Sequence, residues 1–540
     1  MEEKTGKINI IVPLTVALAL MLGITIGIKL GAKAVQNAQN RGVILFSPSG
    51  KVGKALELIT SSYVDSVSAG SLEEDAIKGM LKKLDPHSQY IPASNFSALS
   101  EQLEGNFSGI GVTFNMINDT VVIFGTLAKG PSEKVGVMPG DRILQVNDSL
   151  VAGVKMSSND VMKMLKGKTG TVVKVGIYRK GVNEMINFSI TRDKIPLVSI
   201  DVAYMITPEI GYIKVNKFSK TTLHDFIVAA AKLKTEGMKK MIIDLRDNSG
   251  GVIDGAIGMS EMFLPAGTLI VYTEGAERGR TNYYSKGKNA EFNDLQLALL
   301  IDETSASASE IVAGAIQDND RGMIIGRRSF GKGLVQEQHT FFDRSALRIT
   351  VARYYTPTGR CIQKPYQIND DDDYFNEVYE RVLHGEMIVE DSIRFNDSLR
   401  YVTPAGKVVY GGGGIMPDIF VPYDTTKYSR YYAQVMRGLV FRYAFDYADK
   451  NRKELAAYTD HQSMQKHLRQ KQILDKFVAH AAQQGIAKNS ADLQISGALL
   501  ENIIMAYIAR NIIDDKGFYP ILNQMDPMVQ KGVKELTINH

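Results

Sequence analysis

The chain opens with an uncharged apolar run: residues 10–28 read IIVPLTVALALMLGITIGI, nineteen positions in all. As a helix, a run of that length crosses the hydrocarbon core of a bilayer. A retained anchor is the expectation. A cleaved export signal is the alternative, with only a poor small-residue cleavage site near residues 32–34. Lys4 and Lys7 precede the run and Lys29 and Lys33 follow it, so flanking charge says little about orientation. A polar connector at 32–50 ends in a turn-rich SPSG. From there the period becomes helical, with Val52, Leu56, Ile59 and Tyr63 on one face. Ser71 and Glu74 have the spacing of a capping box and predict a second helix. Ile77, Leu81 and Leu84 supply its stripe, and Asp85 with Pro86 stops it. The resulting helical module, 51–104, is too short for a large core and is expected to pack on another surface.

Between 105 and 192 the period changes to two. Short alternating strands (GVTFNM, TVVIFG, DRILQVN, TVVKVGIYR) are punctuated by glycine, with PSEKVG and MKMLKG as two short helices. From 193 to 426 short apolar runs return, MIIDLR, ALLID and MIIG, with a helical SEIVAGAIQD between the last two. Runs of this kind fit strands buried on both faces, and strand–helix–strand order predicts a layered α/β unit with parallel pairing. Within it, residues 364–410 read as a polar, irregular insertion, and the acidic run from Asp370 to Asp373 reads as a solvated loop. Residues 427–540 are helix-prone and predict an accessory helical domain. The fold class is therefore mixed α/β and multidomain: a layered α/β core, an inserted β domain, a helical N-terminal module and a helical C-terminal extension.

Composition narrows the chemistry. Of 540 residues 44% are hydrophobic, enough for a sizeable core, and the formal charge of +4 is too mild for a nucleic-acid binder of this length. Cys361 stands alone, which excludes an intramolecular disulfide and a cysteine cluster. The eight histidines form no zinc spacing. His461 and His467, in a polar stretch, read as an exposed helix surface. Hydrolytic chemistry is thus sought without a metal and without a cofactor.

Two segments carry chemistry. ETSASASEI at 303–311 follows an apolar strand and opens a helix, so a hydroxyl there faces the positive end of the helix dipole. Such clusters also serve as caps. RRSFGKGLVQ at 327–336 follows the next strand and sets Lys332 between Gly331 and Gly333. An ordinary lysine, with a pKa near 10.4, is no base at neutral pH. Burial would free its amine to accept a proton and return it later. A surface lysine in a glycine loop is the plainer alternative.

Together with LDPHSQYI (84–91), FSGIGV (107–112), GYIKVNKF (211–218), IDLRDNSGG (243–251), ARYYTPTGR (352–360) and GGIMPD (413–418), these segments resemble the carboxyl-terminal processing peptidases, the S41 serine peptidase family. The resemblance covers about residues 50–425. It implies Ser307 as nucleophile, with Ser305 and Ser309 as rivals, and Lys332, twenty-five positions later, as base. It further implies Gln336 as the hydrogen-bonding support of the lysine and Glu310 as a supporting carboxylate. An oxyanion would be held by the N–H of Ala308 with Gly250 or Gly251 of the NSGG turn.

Residues 105–192 resemble a PDZ domain in that family's arrangement. The resemblance implies a loop through Gly109, Ile110, Gly111 and Val112 that receives a peptide carboxylate, with Ile110, Val112 and Val137 shaping the terminal pocket and the peptide added as a strand. The expected partners are polypeptides with free C-termini, the membrane through the N-terminal run, a second copy in a homodimer and an adaptor or regulator protein. The expected location is the bacterial inner membrane, single-pass with the catalytic part in the periplasm, or the periplasm itself if the run is cleaved. A non-catalytic scaffold for protein tails and a different dyad hydrolase are the competing functions.

Overall fold

In the computed structural model, residues 50–538 are described, apart from 128, 288–291, 369–370 and 395. The apolar run at 10–28 lies outside the described residues. Among the described residues no helix is long and apolar enough to cross a membrane. The chain divides between Leu81 and Lys82 into two compact units. The first contains α1 (Lys51–Ser62), which buries no side chain, and α2 (Ala69–Leu81), which buries only Leu81. Helix α2 starts two residues before Ser71, and Ser68 Oγ accepts from the Ser71 N–H. It ends short of Leu84, so that residue is not on its stripe.

The 51–104 module expected from the sequence is therefore divided. Its second half, β1 (Gln89–Ile91) and α3 (Ala93–Glu104), belongs to the larger unit. The small sheet domain follows: β2 (Asn106–Gly109), β3 (Val112–Ile117), β4 (Thr120–Thr126), α4 (Pro131–Lys134), β5 (Arg142–Val146), β6 (Ser149–Leu150), α5 (Ser158–Leu165), β7 (Val172–Tyr178), β8 (Ile186–Thr191) and β9 (Asp193–Pro196). Its sheet runs β3-β4-β5-β7-β8 with β6 on β5, which leaves β3 at an edge. Alternation turns Val121, Ile123, Val173, Val175 and Val161 of α5 into one closed core. Strands β2 and β9 pair antiparallel and tie the entry of the domain to its exit.

The α/β core holds β10 (Ile200–Met205), β11 (Ile210–Val215), α6 (Thr222–Thr235), β12 (Lys240–Asp244), α7 (Ile253–Glu261), β13 (Leu269–Gly275), β14 (Gly279–Tyr284), β15 (Gln296–Ile301), α8 (Ala308–Asp318), β16 (Met323–Gly326), β17 (Leu334–Thr340), β18 (Ala346–Tyr355), α9 (Asp371–Leu383), β19 (Arg400–Val402), β20 (Val408–Tyr410) and β21 (Ile419–Phe420). One sheet has the order β10-β11-β12-β15-β16-β21, and β11 through β21 are parallel. Helices α6, α7 and α8 cover one face through Phe226, Met259 and Ile311 against Ile213, Ile243 and Leu299. The opposite face carries Tyr212, Ile242, Leu300 and Ile325. Burial on both faces is why these strands read as unbroken apolar runs. A second, antiparallel sheet joins β1, β18, β13 and β14, with β17 on β18.

The insertion at 364–410 is not irregular. The acidic run enters α9, whose Tyr374 and Arg381 are buried, and β19 and β20 form a hairpin.

The C-terminal extension contains α10 (Arg430–Val435), α11 (Leu439–Lys450), α12 (Arg452–Leu455), α13 (His461–Gln470), α14 (Ile473–Gln483), α15 (Ser490–Ile513), α16 (Asp515–Leu522) and α17 (Pro527–Thr537). Helices α10 to α16 build their own core around Tyr443, Phe477 and Ile504. His467 is buried in it, stacked on Tyr458 with its Nδ1 2.9 Å from the phenol oxygen, which corrects the exposed reading. Helix α17 leaves this bundle and completes the second face of the parallel sheet with Met528, Val529 and Leu536.

Candidate active site

Strands β12, β15 and β16 are neighbours in the parallel sheet, and each runs out into one of the segments singled out above. The loop after β12 is RDNSGG, that after β15 is ETSAS, and that after β16 is RRSFGKG. Parallel strands release their loops at one edge, so these three converge at the carboxyl end of the sheet. The sequence holds the middle loop tightly. Asp302 Oδ1 accepts from the N–H groups of Thr304 and Ser305, and Ser305 Oγ donates to the Leu245 carbonyl. Ser309 Oγ donates to the Asn248 carbonyl at 2.9 Å. Both serines are fully buried, whereas Ser307 between them is half-buried. Ser307 lies at the N-cap of α8 with φ 54° and ψ −111°, a conformation that side chains avoid and that marks local strain.

Glu310, three residues into that turn, links two of the loops. One carboxylate oxygen accepts from the N–H of Ser307 (2.7 Å) and of Lys332 (2.9 Å), and the other from Ser329 Oγ (2.6 Å) and the Gly331 N–H (2.7 Å). Burial raises the Glu310 carboxyl above its ordinary value, and the donors around it oppose the rise. Tyr354 Oη on β18 spans the same gap, bonding the carbonyl of Lys332 at 2.6 Å and that of Ser307 at 3.2 Å. One carboxylate and one phenol thus join the backbones of Ser307 and Lys332.

The Lys332 amine donates to Gln336 Oε1 at 3.1 Å, and Gln336 Nε2 in turn donates to the His87 carbonyl at 2.6 Å. Burial holds the amine below the usual lysine range; the Arg348 guanidinium adds to the effect, and Glu310 and Asp85 partly offset it. His87, with Nε2 3.0 Å from the Tyr374 hydroxyl, is pushed down to about 3 by burial and then by Lys332, so it stays neutral across the working range. The LDPHSQYI segment therefore forms one wall of the site. Asp85 fixes it by accepting from the N–H groups of His87 and Ser88 and from Thr350 Oγ1.

Gly250 (φ 94°) lies against the serine turn: a Cβ there would stand 2.8 Å from both the Ala308 nitrogen and Ser307 Cβ. Only glycine permits that approach. Its N–H, however, donates to Asn248 Oδ1 at 2.9 Å. Asn248 also donates from Nδ2 to the Val215 carbonyl, and its own carbonyl accepts from the Ala306 N–H. Gly251 (φ 145°) pairs with Phe218 in an isolated bridge. The Ala308 N–H lies in the first turn of α8, where helix N–H groups have no intrahelical acceptor.

Helix α9 braces the lysine loop. Arg381 donates to the carbonyls of Ser329 (2.7 Å) and Phe330 (3.2 Å), and Glu377 pairs with Arg381 and Lys364. Replacing Arg381 with alanine leaves those buried carbonyls unpaired. We expect a loss in kcat of about tenfold for peptide hydrolysis, with KM little changed; steady-state kinetics on the purified variant check it. Reading the insertion as irregular concealed this brace, although Tyr374, Glu377 and Arg381 stand at helical spacing. Asn248, Tyr354 and His87 lie inside the motifs named above without a signal of their own, and Asp85 signals there only the end of a helix.

In the small domain, Ile110 and Val137 are buried in the core. Gly109 ends β2 opposite Asp193. Gly111 and Val112 line a cavity of about 950 Å³ between the domain and the C-terminal helices.

Residues 209–373 match the family model for peptidase family S41, and residues 108–190 match that of the PDZ domain. Residues 29–94 match the activating protease CtpB N-terminal domain, and residues 431–514 a family of unknown function. The chain is 35% identical over 321 residues to a carboxy-terminal-processing protease of Bartonella bacilliformis, across 58% of this chain and 72% of the relative. It is 32% identical over 313 residues to a probable CtpA-like serine protease of Staphylococcus aureus, across 58% of this chain and 62% of the relative's length. Among solved structures, a photosystem II D1 C-terminal processing protease matches with a TM-score of 0.36 at 24% identity, covering 69% of this chain and 93% of that one.

Proposed function

The chain belongs to the S41 family of carboxy-terminal-processing peptidases, and from that premise we propose that it cleaves polypeptides with Ser307 as nucleophile and Lys332 as general base. The observation that carries this reading is the joining of the two backbones through Glu310, beside an amine whose pKa is lowered by burial. Ser307 Oγ attacks the scissile carbonyl carbon and its proton passes to the Lys332 amine. The resulting oxyanion is met by the Ala308 N–H and a second N–H from the NSGG turn. In the present geometry the Gly250 N–H serves Asn248, which favours Gly251 as that second donor unless the turn moves. Collapse expels the amine leaving group, which takes the proton back from the ammonium, and water then hydrolyses the acyl-enzyme. Gln336 positions the lysine. Ser305 and Ser309 are set aside because both hydroxyls are buried and bonded to backbone carbonyls.

The substrate is read as a polypeptide with a free C-terminus, whose tail adds to the open edge of β3. The uncharged run at 10–28 supports work in the cell envelope, with that run as anchor or export signal. The test uses the purified chain on a peptide with a free C-terminus and on the same peptide amidated. The expected result is cleavage of the first, at least about tenfold slower cleavage of the second, and none above about one part in a thousand with Ser307→Ala. Full activity in Ser307→Ala ends the assignment. Equal cleavage of free and amidated peptides ends the tail reading alone.

A further inference from the structure

We propose that the C-terminal helical domain is the second wall of the tail-binding groove and selects a large apolar side chain at alternate positions of the bound tail. The inference rests on the tail reading above and extends it to a domain that matches only a family of unknown function.

Strand β3 pairs with β4 alone among the described strands, so its other edge is open to an incoming strand, which would take over the Met116 N–H now held by Asn115 Oδ1 at 2.8 Å. Val112, Phe114 and Met116 pack against the core of the small domain. By alternation Thr113, Asn115 and Ile117 face the other way. A strand added at this edge inherits the same alternation, so every second side chain of the tail points away from that core. There the space is walled by α11 and α15. Phe445 of α11 meets Phe124 of β4 edge-on, with ring centroids 4.9 Å apart, which fixes the wall to the sheet. Asp449 pairs with Arg142 at 3.3 Å and secures it further. Beyond this contact the helices stand back from the sheet, and the cavity of about 950 Å³ opens between them. A volume in that range holds several residues of a ligand.

The surface of the wall names the chemistry. Phe441 is 45% exposed, whereas Tyr443 and Phe445 of the same helix are buried and Tyr447 is half-buried. Its ring is 4.3 Å from that of Tyr507, and both line the cavity. Arg510, also in the lining, is offset by Asp515 at 2.9 Å and brings little unbalanced charge. An aromatic pair open to the cavity matches an apolar or aromatic side chain. The flanking helices also decide the form of the occupant. A groove walled by α11 and α15 suits one extended chain, and a second folded copy pairing edge to edge would meet those helices.

The experiment uses the full chain carrying Ser307→Ala, so that bound tails are not consumed, and fluorescein-labelled alanine–serine octapeptides with free C-termini. A single phenylalanine is moved through the series and Kd is read by anisotropy. The expected result is two interleaved sets of favoured positions, each about five- to tenfold tighter than the parent peptide. Phe441→Ala removes the preference in one set and leaves the other intact. A tail carrying benzoylphenylalanine in the sensitive set is expected to crosslink to α11 or α15. If tails bind but Phe441→Ala leaves both sets alike, or crosslinks fall only on the small domain, the helical wall is not read and the proposal is overturned while tail recognition stands. If no tail binds the parent, both fall. The melting temperature of Phe441→Ala, expected to equal that of the parent, separates lost contact from lost fold.

Discussion

Lys332→Ala is expected to lower kcat/KM for peptide hydrolysis by at least about 10³-fold near neutral pH, the scale of a lost general base. The sign of the pH dependence identifies the group. In the wild-type chain the active form carries a neutral amine, so activity rises with pH as Lys332 loses its proton. Because burial and Arg348 lower its pKa, that limb lies below the ordinary lysine value of 10.5. In Lys332→Ala the limb disappears and raising the pH restores nothing beyond hydroxide catalysis. Lys332→Arg does not rescue, since a guanidinium stays protonated throughout. Profiles of kcat/KM between about pH 5 and pH 10 make the comparison. An unchanged limb in Lys332→Ala would assign the titration, and the base, to another group.

Glu310→Gln is expected to cost nearly as much, about 10²-fold in kcat, although this side chain is not placed to touch a substrate. The carboxylate receives two donors on each oxygen. A glutamine must direct its NH₂ at one of these pairs. Set against the N–H groups of Ser307 and Lys332, it repels the two residues whose approach it should secure. Set against Ser329 and Gly331, it leaves the Gly331 N–H unpaired in a buried site. An unmade buried bond costs about 1–3 kcal/mol. The loss is expected in kcat, with KM nearly unchanged and tail binding intact. Parallel kinetics and anisotropy measurements on the variant distinguish this from general unfolding, in which both readouts fall together.

Much of this site was legible before any geometry, because chemistry there is written in local segments. The loops at 303–311 and 327–336 each follow a doubly buried strand, and such strands announce themselves as apolar runs. The two-residue period of 105–192 likewise predicted the small sheet. What stayed hidden depended on contacts distant in sequence. Tyr354 is one tyrosine in a β-strand until its hydroxyl is seen between two carbonyls. His87 lies 249 positions from the glutamine that holds its carbonyl. Arg381 stays hidden because a run of aspartates reads by its charge as a solvated loop, whereas a helix starts within it. Strand β1 is hidden for a related reason: it is three residues long, and only its pairing with β18 gives it a place.

Helix α17 couples the far side of the parallel sheet to the active site. Met528, Val529 and Leu536 of α17 seal the sheet face beneath β12, β15 and β16, and Asp526 at its N-cap holds Arg246, which immediately precedes the DNSGG turn. The second face of the sheet that bears the serine and lysine loops is thus closed in part by a helix lying beyond the C-terminal bundle, and a change in that helix reaches the active site by two routes, through the sheet it covers and through Arg246.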